Sequence, residues 1–111
     1  MEPAELAERY FACVRAKDID SWMALFAENA RYILPDGSEF AGKQAIRAVQ
    51  EKVFASGSPY PTPQAMIAGG AGIAVEVETR LPDNSTRRTT NMFHLDSEGR
   101  IARLSVYKQG W

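Results

Sequence analysis

The sequence of 111 residues holds one cysteine, Cys13, and one histidine, His94. A single cysteine excludes an internal disulfide and fits a reducing cytosol, so a cytoplasmic protein is expected. Nothing near His94 has the spacing of a metal site, and no Ser-His-Asp set can be assembled with confidence around one histidine. Charge of one sign is also missing: 13 basic against 14 acidic side chains leave a formal net charge of −1. Phosphate binding needs a clustered basic surface, so nucleic acid is not an expected partner; the only tight basic pair is Arg87-Arg88. No stretch approaches roughly 18 consecutive apolar residues, so no membrane span is expected. The opening Met1-Glu2-Pro3-Ala4-Glu5 has neither the basic start nor the apolar run of a secretory leader. Repeats and low-complexity segments are absent as well.

What is present suits one small domain spanning 1–111. The length allows one domain rather than two, and 45% apolar residues suffice for a core. Residues 3–16 read as a helix: Pro3 suits a first turn, and Leu6, Tyr10, Cys13 and Val14 recur on one face. Asp18 or Asp20 caps a second helix running to about Asn29, with Trp22, Leu25 and Phe26 as its buried stripe. Arg31–Leu34 reads as a short strand, Pro35-Asp36-Gly37 as a turn, and Ser38–Phe40 as the returning strand. Gly42 opens a third helix over 43–55, with Ile46, Val49, Val53 and Phe54 on one side. The three prolines of 57–63 predict a loop.

The second half reads as strands only. Gln64–Ala68 is followed by Gly69-Gly70-Ala71-Gly72, which reads as a break or bulge and not as a phosphate loop, since no helix follows. Ile73–Leu81 alternates, with Val75, Val77 and Thr79 on one face and Glu76, Glu78 and Arg80 on the other. Thr86–Leu95 and Arg100–Lys108 complete the set, separated by Pro82-Asp83-Asn84-Ser85 and Asp96-Ser97-Glu98-Gly99 turns. Helices followed by an antiparallel meander is an α+β order without a parallel crossover. One sheet face is expected under the helices, and the other, polar face is free for solvent or a second subunit.

Several groups have an ordinary structural explanation. Cys13 lies in a helix stripe and reads as packing rather than a nucleophile. His94 is out of phase with Phe93 and Leu95, on the polar face. Glu76 and Glu78 read as cross-strand ion-pair partners of the arginines opposite rather than as paired catalytic carboxylates. Polar residues on apolar faces say more: Tyr10 in helix one, Gln50 beside Val49, and Asn91 in phase with Phe93 and Leu95. Buried polar groups need partners, so these three form either a structural network in a filled core or the floor of a pocket.

Arg9-Tyr10-Phe11-Ala12, Ala16-Lys17-Asp18-Ile19-Asp20 and Ala24-Leu25-Phe26-Ala27-Glu28-Asn29-Ala30, followed by Pro35-Asp36-Gly37, Gly42, Ala45-Ile46-Arg47 and the ending Phe93–Asp96 with Gly99-Arg100-Ile101, resemble the nuclear transport factor two-like superfamily. The similar branch is the ketosteroid-isomerase-like and SnoaL-like (polyketide cyclase) group. The resemblance implies a cystatin-like α+β barrel, that is, a cone-shaped curved antiparallel sheet wrapped by three N-terminal helices around one apolar cavity. It also implies a homodimer through the outer sheet face, a small apolar molecule as partner, and chemistry without a cofactor.

Carried over residue by residue, the match to ketosteroid isomerase is partial. Tyr10 falls on its oxyanion-hole tyrosine, Asn91 on its protonated aspartic acid, and Gln50 on a supporting tyrosine. The general-base position is Leu34, which takes no proton, so ordinary ketosteroid isomerisation is not expected; a lost base costs roughly two to four orders of magnitude in rate. Asp36, in the following turn, is the candidate replacement, with Glu39 a little farther along. The expected site therefore has Tyr10, Asn91 and Asp36 as catalytic candidates. Tyr32, Leu34, Val49, Gln50, Phe54, Phe93, Val106 and Lys108 are its substrate-facing candidates, with Lys108 either holding an anionic group or snorkelling to water. The expected function is binding of a small carbonyl or polyketide-like compound, with isomerase, cyclase or dehydratase chemistry. The alternative is a non-catalytic binding or dimerisation domain.

Overall fold

In the computed structural model, which describes residues 1–57 and 59–110, three helices lie against one curved sheet. Helix α1, Pro3–Ala16, starts with a capping box between Glu2 and Glu5 and buries Leu6, Ala7, Tyr10, Phe11, Cys13 and Val14. Its stripe is apolar because every third or fourth position faces the sheet. A short helix α2, Ile19–Met23, follows, with Asp18 as its cap: the Ser21 backbone N–H donates to Asp18 Oδ1 at 3.2 Å. The helix expected to run to Asn29 thus stops earlier, and strand β1, Phe26–Ile33, takes over those residues.

The corrected boundary has a visible cause in the sheet. β1 advances from Phe26 to Arg31 while its neighbour advances only from Ile101 to Arg103, so β1 is strongly bulged there. That irregular stretch buries Phe26, Ala27 and Ala30 without two-residue alternation, which is why it resembles a helical stripe in the sequence. β2, Glu39–Ala41, pairs back on β1, and the hairpin is clasped by a two-pronged ion pair between Arg31 and Glu39 at 2.7 and 2.9 Å. Helix α3 spans Lys43–Ala55 and buries Ile46 and Gln50.

The remaining strands are β3 Tyr60–Gly69, β4 Gly72–Arg80, β5 Thr86–Leu95 and β6 Ile101–Lys108. Sheet order is β2-β1-β6-β5-β4-β3, an open sheet of six strands. β3 to β6 form the antiparallel meander, but β6 pairs with β1 in parallel, so the sheet is mixed rather than wholly antiparallel. The chain reaches this arrangement because α3 carries it from the β1–β2 end across to β3 at the far edge. The stretch expected as a proline loop is partly strand: Tyr60–Pro63 pairs with Val77–Arg80. Pro61 and Pro63 are two residues apart, so both turn their missing donor to the same side, which an edge strand leaves unpaired. Ser58 and the terminal Trp111, readable in sequence as a cavity cap or a free end, lie outside the described residues.

Gly69 and Gly72 are paired, so the glycine-rich stretch is a tight β3–β4 hairpin. A Cβ on Gly72 would collide with the Phe93 carbonyl oxygen on β5, so only glycine fits there. The core packs between α1, α2 and the concave sheet face, with Trp22, Phe11, Phe26 and Phe93 as its largest fully buried side chains. Full burial of such side chains is worth about 1.5–3 kcal/mol each.

Candidate functional site

The core does not fill the cone. A cavity of about 340 Å³ opens beside α1, within the range of small-molecule sites. Tyr10, Phe11 and Val14 of α1 form one wall, and Gln50 and Val53 of α3 another. Tyr32, Leu34 and Pro35 close it from the end of β1. The sheet supplies Val77 and Thr79 from β4, Arg87, Thr89 and Asn91 from β5, and Val106 from β6, while Ser56, Pro59, Pro61, Leu81 and Pro82 form the rim.

Tyr10 is 4% exposed and is gripped by rings: Phe11 and Phe93 stand edge-on with centroids at 5.0 Å, and Trp22 is tilted at 5.6 Å. Burial pushes its phenol pKa well above the usual value, and the neighbouring Tyr32 raises it further, so Tyr10 is a neutral hydroxyl donor. The Trp22 indole N–H has no well-formed hydrogen bond, and its loose approach to Tyr10 only partly offsets that rise. Tyr32, which also lines the cavity, is raised by burial as well, with its interaction with Tyr10 lowering it somewhat. Asn91, 6% exposed, accepts a hydrogen bond from Thr89 Oγ1 at 3.0 Å, which leaves its NH2 group as a donor to the cavity that it lines. Gln50, 4% exposed, adds a second amide.

Tyr10, Tyr32, Leu34, Gln50, Asn91 and Val106 are thus brought to one cavity. The other candidates lie elsewhere. Phe93 is 1% exposed behind Tyr10, as core rather than wall. Val49 is one helix position, about 100°, from Gln50 and turns away; Phe54 is half-buried against the core. Lys108 is exposed at the end of β6 and outside the lining. Asp36 is an exposed turn residue, its Oδ1 accepting from the Ser38 backbone N–H at 2.9 Å. That bond holds its carboxyl below the usual range, which weakens it as a base, and it does not line the cavity. Glu39 is bound to Arg31 and is likewise outside.

Thr79, Thr89 and Arg87 were missed as site residues, although two-residue alternation puts Arg87 and Thr89 in phase with Asn91. The outer-face pairing is seen for one pair, Glu78 with Arg88 at 3.6 Å. His94 Nε2 lies 3.0 Å from an Arg103 guanidinium nitrogen, and burial, then that charge, lower its pKa, so it is neutral at pH 7. Burial raises the Cys13 thiol, which suits packing. Among the described residues no group of three His, Cys, Asp or Glu could hold a metal, and no helix is long and apolar enough to cross a membrane.

Among the described residues no Asp, Glu or His lines this cavity; its ionisable walls are Tyr10, Tyr32 and Arg87. It is therefore a site of buried neutral hydrogen-bond donors in an apolar cone, with one guanidinium at its open end, and it defines the class: a curved-sheet α+β domain with a ligand-sized cavity. The family model of the SnoaL-like domain matches residues 7–104, and the chain belongs to that family, within the nuclear transport factor two-like superfamily.

Solved structures agree on the fold. A candidate ketosteroid isomerase from Kribbella flavida is 22% identical with a TM-score of 0.85, over 96% of this chain and 77% of that one. A candidate polyketide cyclase from Sinorhizobium meliloti is 25% identical with a TM-score of 0.81, over 92% and 93%. The epoxide hydrolase/cyclase-like enzyme SalBIII, of pyran ring formation in the polyether salinomycin, is 22% identical with a TM-score of 0.83, over 96% and 89%. No curated protein matches the sequence.

Proposed function

We propose that this domain binds a small, mostly apolar carbonyl compound of polyketide-like character, with the carbonyl oxygen at Tyr10 and Asn91. The observation that carries this reading is the donor-lined cavity itself. Two buried groups from opposite halves of the chain, one hydroxyl and one amide, share it with apolar walls and no carboxylate. Donors held in a poorly solvated site polarise a carbonyl more effectively than water does. Gln50 and Tyr32 support the pair. Abstraction of a carbon-bound proton by a side-chain carboxylate has no agent here, since Leu34 occupies the family's base position and Asp36 is outside the cavity. The chemistry that fits is carbonyl polarisation for an addition or cyclisation in which the substrate supplies its own nucleophile, without a cofactor.

The test is calorimetric titration with 2-acetylnaphthalene, a neutral apolar ketone, against the native protein and Tyr10→Phe. Binding that weakens about tenfold in the variant, with a stability loss under about 1.5 kcal/mol, supports the reading. Equal binding by both proteins, or none by the native one, sinks it.

A second reading concerns assembly. Cross-strand pairs Ile67–Ala74, Ala74–Met92, Met92–Ser105 and Ser105–Ile33 form a weakly polar row across the outer sheet face, and Ile67 is 77% exposed. We infer a homodimer through that face. Sedimentation should report a dimer that Met92→Glu dissociates; a native monomer at all concentrations refutes it.

A further inference from the structure

Among the described residues Arg87 is the only fully charged side chain in the cavity wall. It lies on β5 in phase with Thr89 and Asn91, so it belongs to the concave face, at the open end. Its neighbour Arg88 points to the other face and pairs with Glu78 at 3.6 Å. Arg31, Arg47 and Arg100 also have acidic partners within 4 Å; among the described residues Arg87 has none, as is true of Arg9, Arg15, Arg80 and Arg103, and it differs from those four in lining the cavity. Lys108 is paired across the ladder with Thr89, so a second positive charge stands on the same face near the mouth. No acid among the described lining residues balances them.

An arginine guanidinium is a fork of fixed donors that matches a carboxylate. We propose that the ligand of this cavity is an anion, a carboxylate-bearing apolar ketone whose acid group is bound by Arg87 while its carbonyl reaches Asn91 and Tyr10. The strand supplies the ruler: four residues of rise separate Arg87 from Asn91, about 13 Å between backbones. Allowing for the reach of the arginine side chain, a rigid spacer of about 8–10 Å between acid and ketone fits. This rests on the cavity being a ligand site and extends it to the ligand's charge and length. Arg87, rather than the Lys108 considered from the sequence, is the anion anchor, because Arg87 lines the cavity and Lys108 does not.

The experiment compares an acetylnaphthoic acid, with its two groups at opposite ends of the ring system, and the methyl ester of the same acid. Both are titrated into the native protein, Arg87→Gln and Arg88→Gln. The expected result is a preference for the acid of roughly three- to tenfold in the native protein, shrinking with added salt as an exposed ion pair should. That preference should be lost in R87Q, whose affinities for acid and ester become equal, and kept in R88Q, which removes the same charge from the opposite face. Equal binding of acid and ester by the native protein overturns the proposal, as does equal loss of preference in R87Q and R88Q, which would reveal only the overall field. If the ester binds and Tyr10→Phe weakens it while R87Q changes nothing, the anion anchor is wrong and the carbonyl site stands. If neither compound binds, both readings fall.

Discussion

Thr89 Oγ1 donates to Asn91 Oδ1 at 3.0 Å, two positions along the same strand face. With the amide oxygen turned to Thr89, the NH2 group of Asn91 is left to the cavity. Asn91 can therefore act as a donor without first reorienting, the condition under which a polar group is effective in a site.

Replacing Thr89 with Val keeps the shape and removes the hydroxyl. We expect a stability loss of about 1 kcal/mol in urea unfolding, since one buried hydrogen bond is lost. Ketone affinity should fall several-fold because the Asn91 amide is released. Unchanged affinity with the expected stability loss would mean that the orientation of Asn91 does not matter to ligand.

Burial raises both Tyr10 and Tyr32 above the ordinary phenol value. The folded state thus holds these protons more tightly than the unfolded chain. Their contribution to stability is complete below the unfolded value, about pH 10, and is lost as pH rises toward the folded values. Ketone binding should be flat from pH 6 to about pH 9. Above about pH 10, phenolate absorbance of Tyr10 and Tyr32 should appear together with loss of circular dichroism. Ionisation of Tyr10 at pH 8 in the folded protein would contradict this.

Gly72→Ala would drive a Cβ into the Phe93 carbonyl oxygen, a backbone atom that yields only if β4 and β5 separate. A loss of about 2 kcal/mol or more is expected by chemical denaturation. Gly70→Ala meets nothing within 4 Å and should cost much less, which makes it the control.

Leu34 lines the cavity, and the resemblance to ketosteroid isomerase assigns it the position of the base. Leu34→Asp should introduce exchange of the α-protons of bound 2-acetylnaphthalene with deuterated solvent, followed by NMR. A positioned base contributes roughly two to four orders of magnitude over its absence. No exchange in a folded, ketone-binding variant would show that Leu34 does not face the α-carbon.

Periodicity alone made most of the fold legible. α1 and α3 obey the helical repeat, and β4 and β5 the two-residue repeat, because each buries one face against the same core. The same phase placed Asn91 with the buried positions and Tyr10 in the helix stripe. Two stretches broke that logic. Phe26–Ala30 is bulged, so its burial follows neither period, and Pro61 and Pro63 sit on an edge where a missing donor costs little.

By itself, then, the sequence determined the helices, the meander and the identity of the polar residues that would be buried, because local hydrophobic spacing controls those. The tertiary structure decided the parallel β1–β6 pairing, which depends on where α3 delivers the chain. It also decided which side chains share the cavity. Asp36 and Lys108 are close in sequence to cavity residues yet lie outside its lining, whereas Arg87 is brought to the mouth by the register of β5 on β4 and β6. Charge and spacing along the chain do not encode that meeting; it arises only when the sheet curves and its concave face closes over the space beside Tyr10.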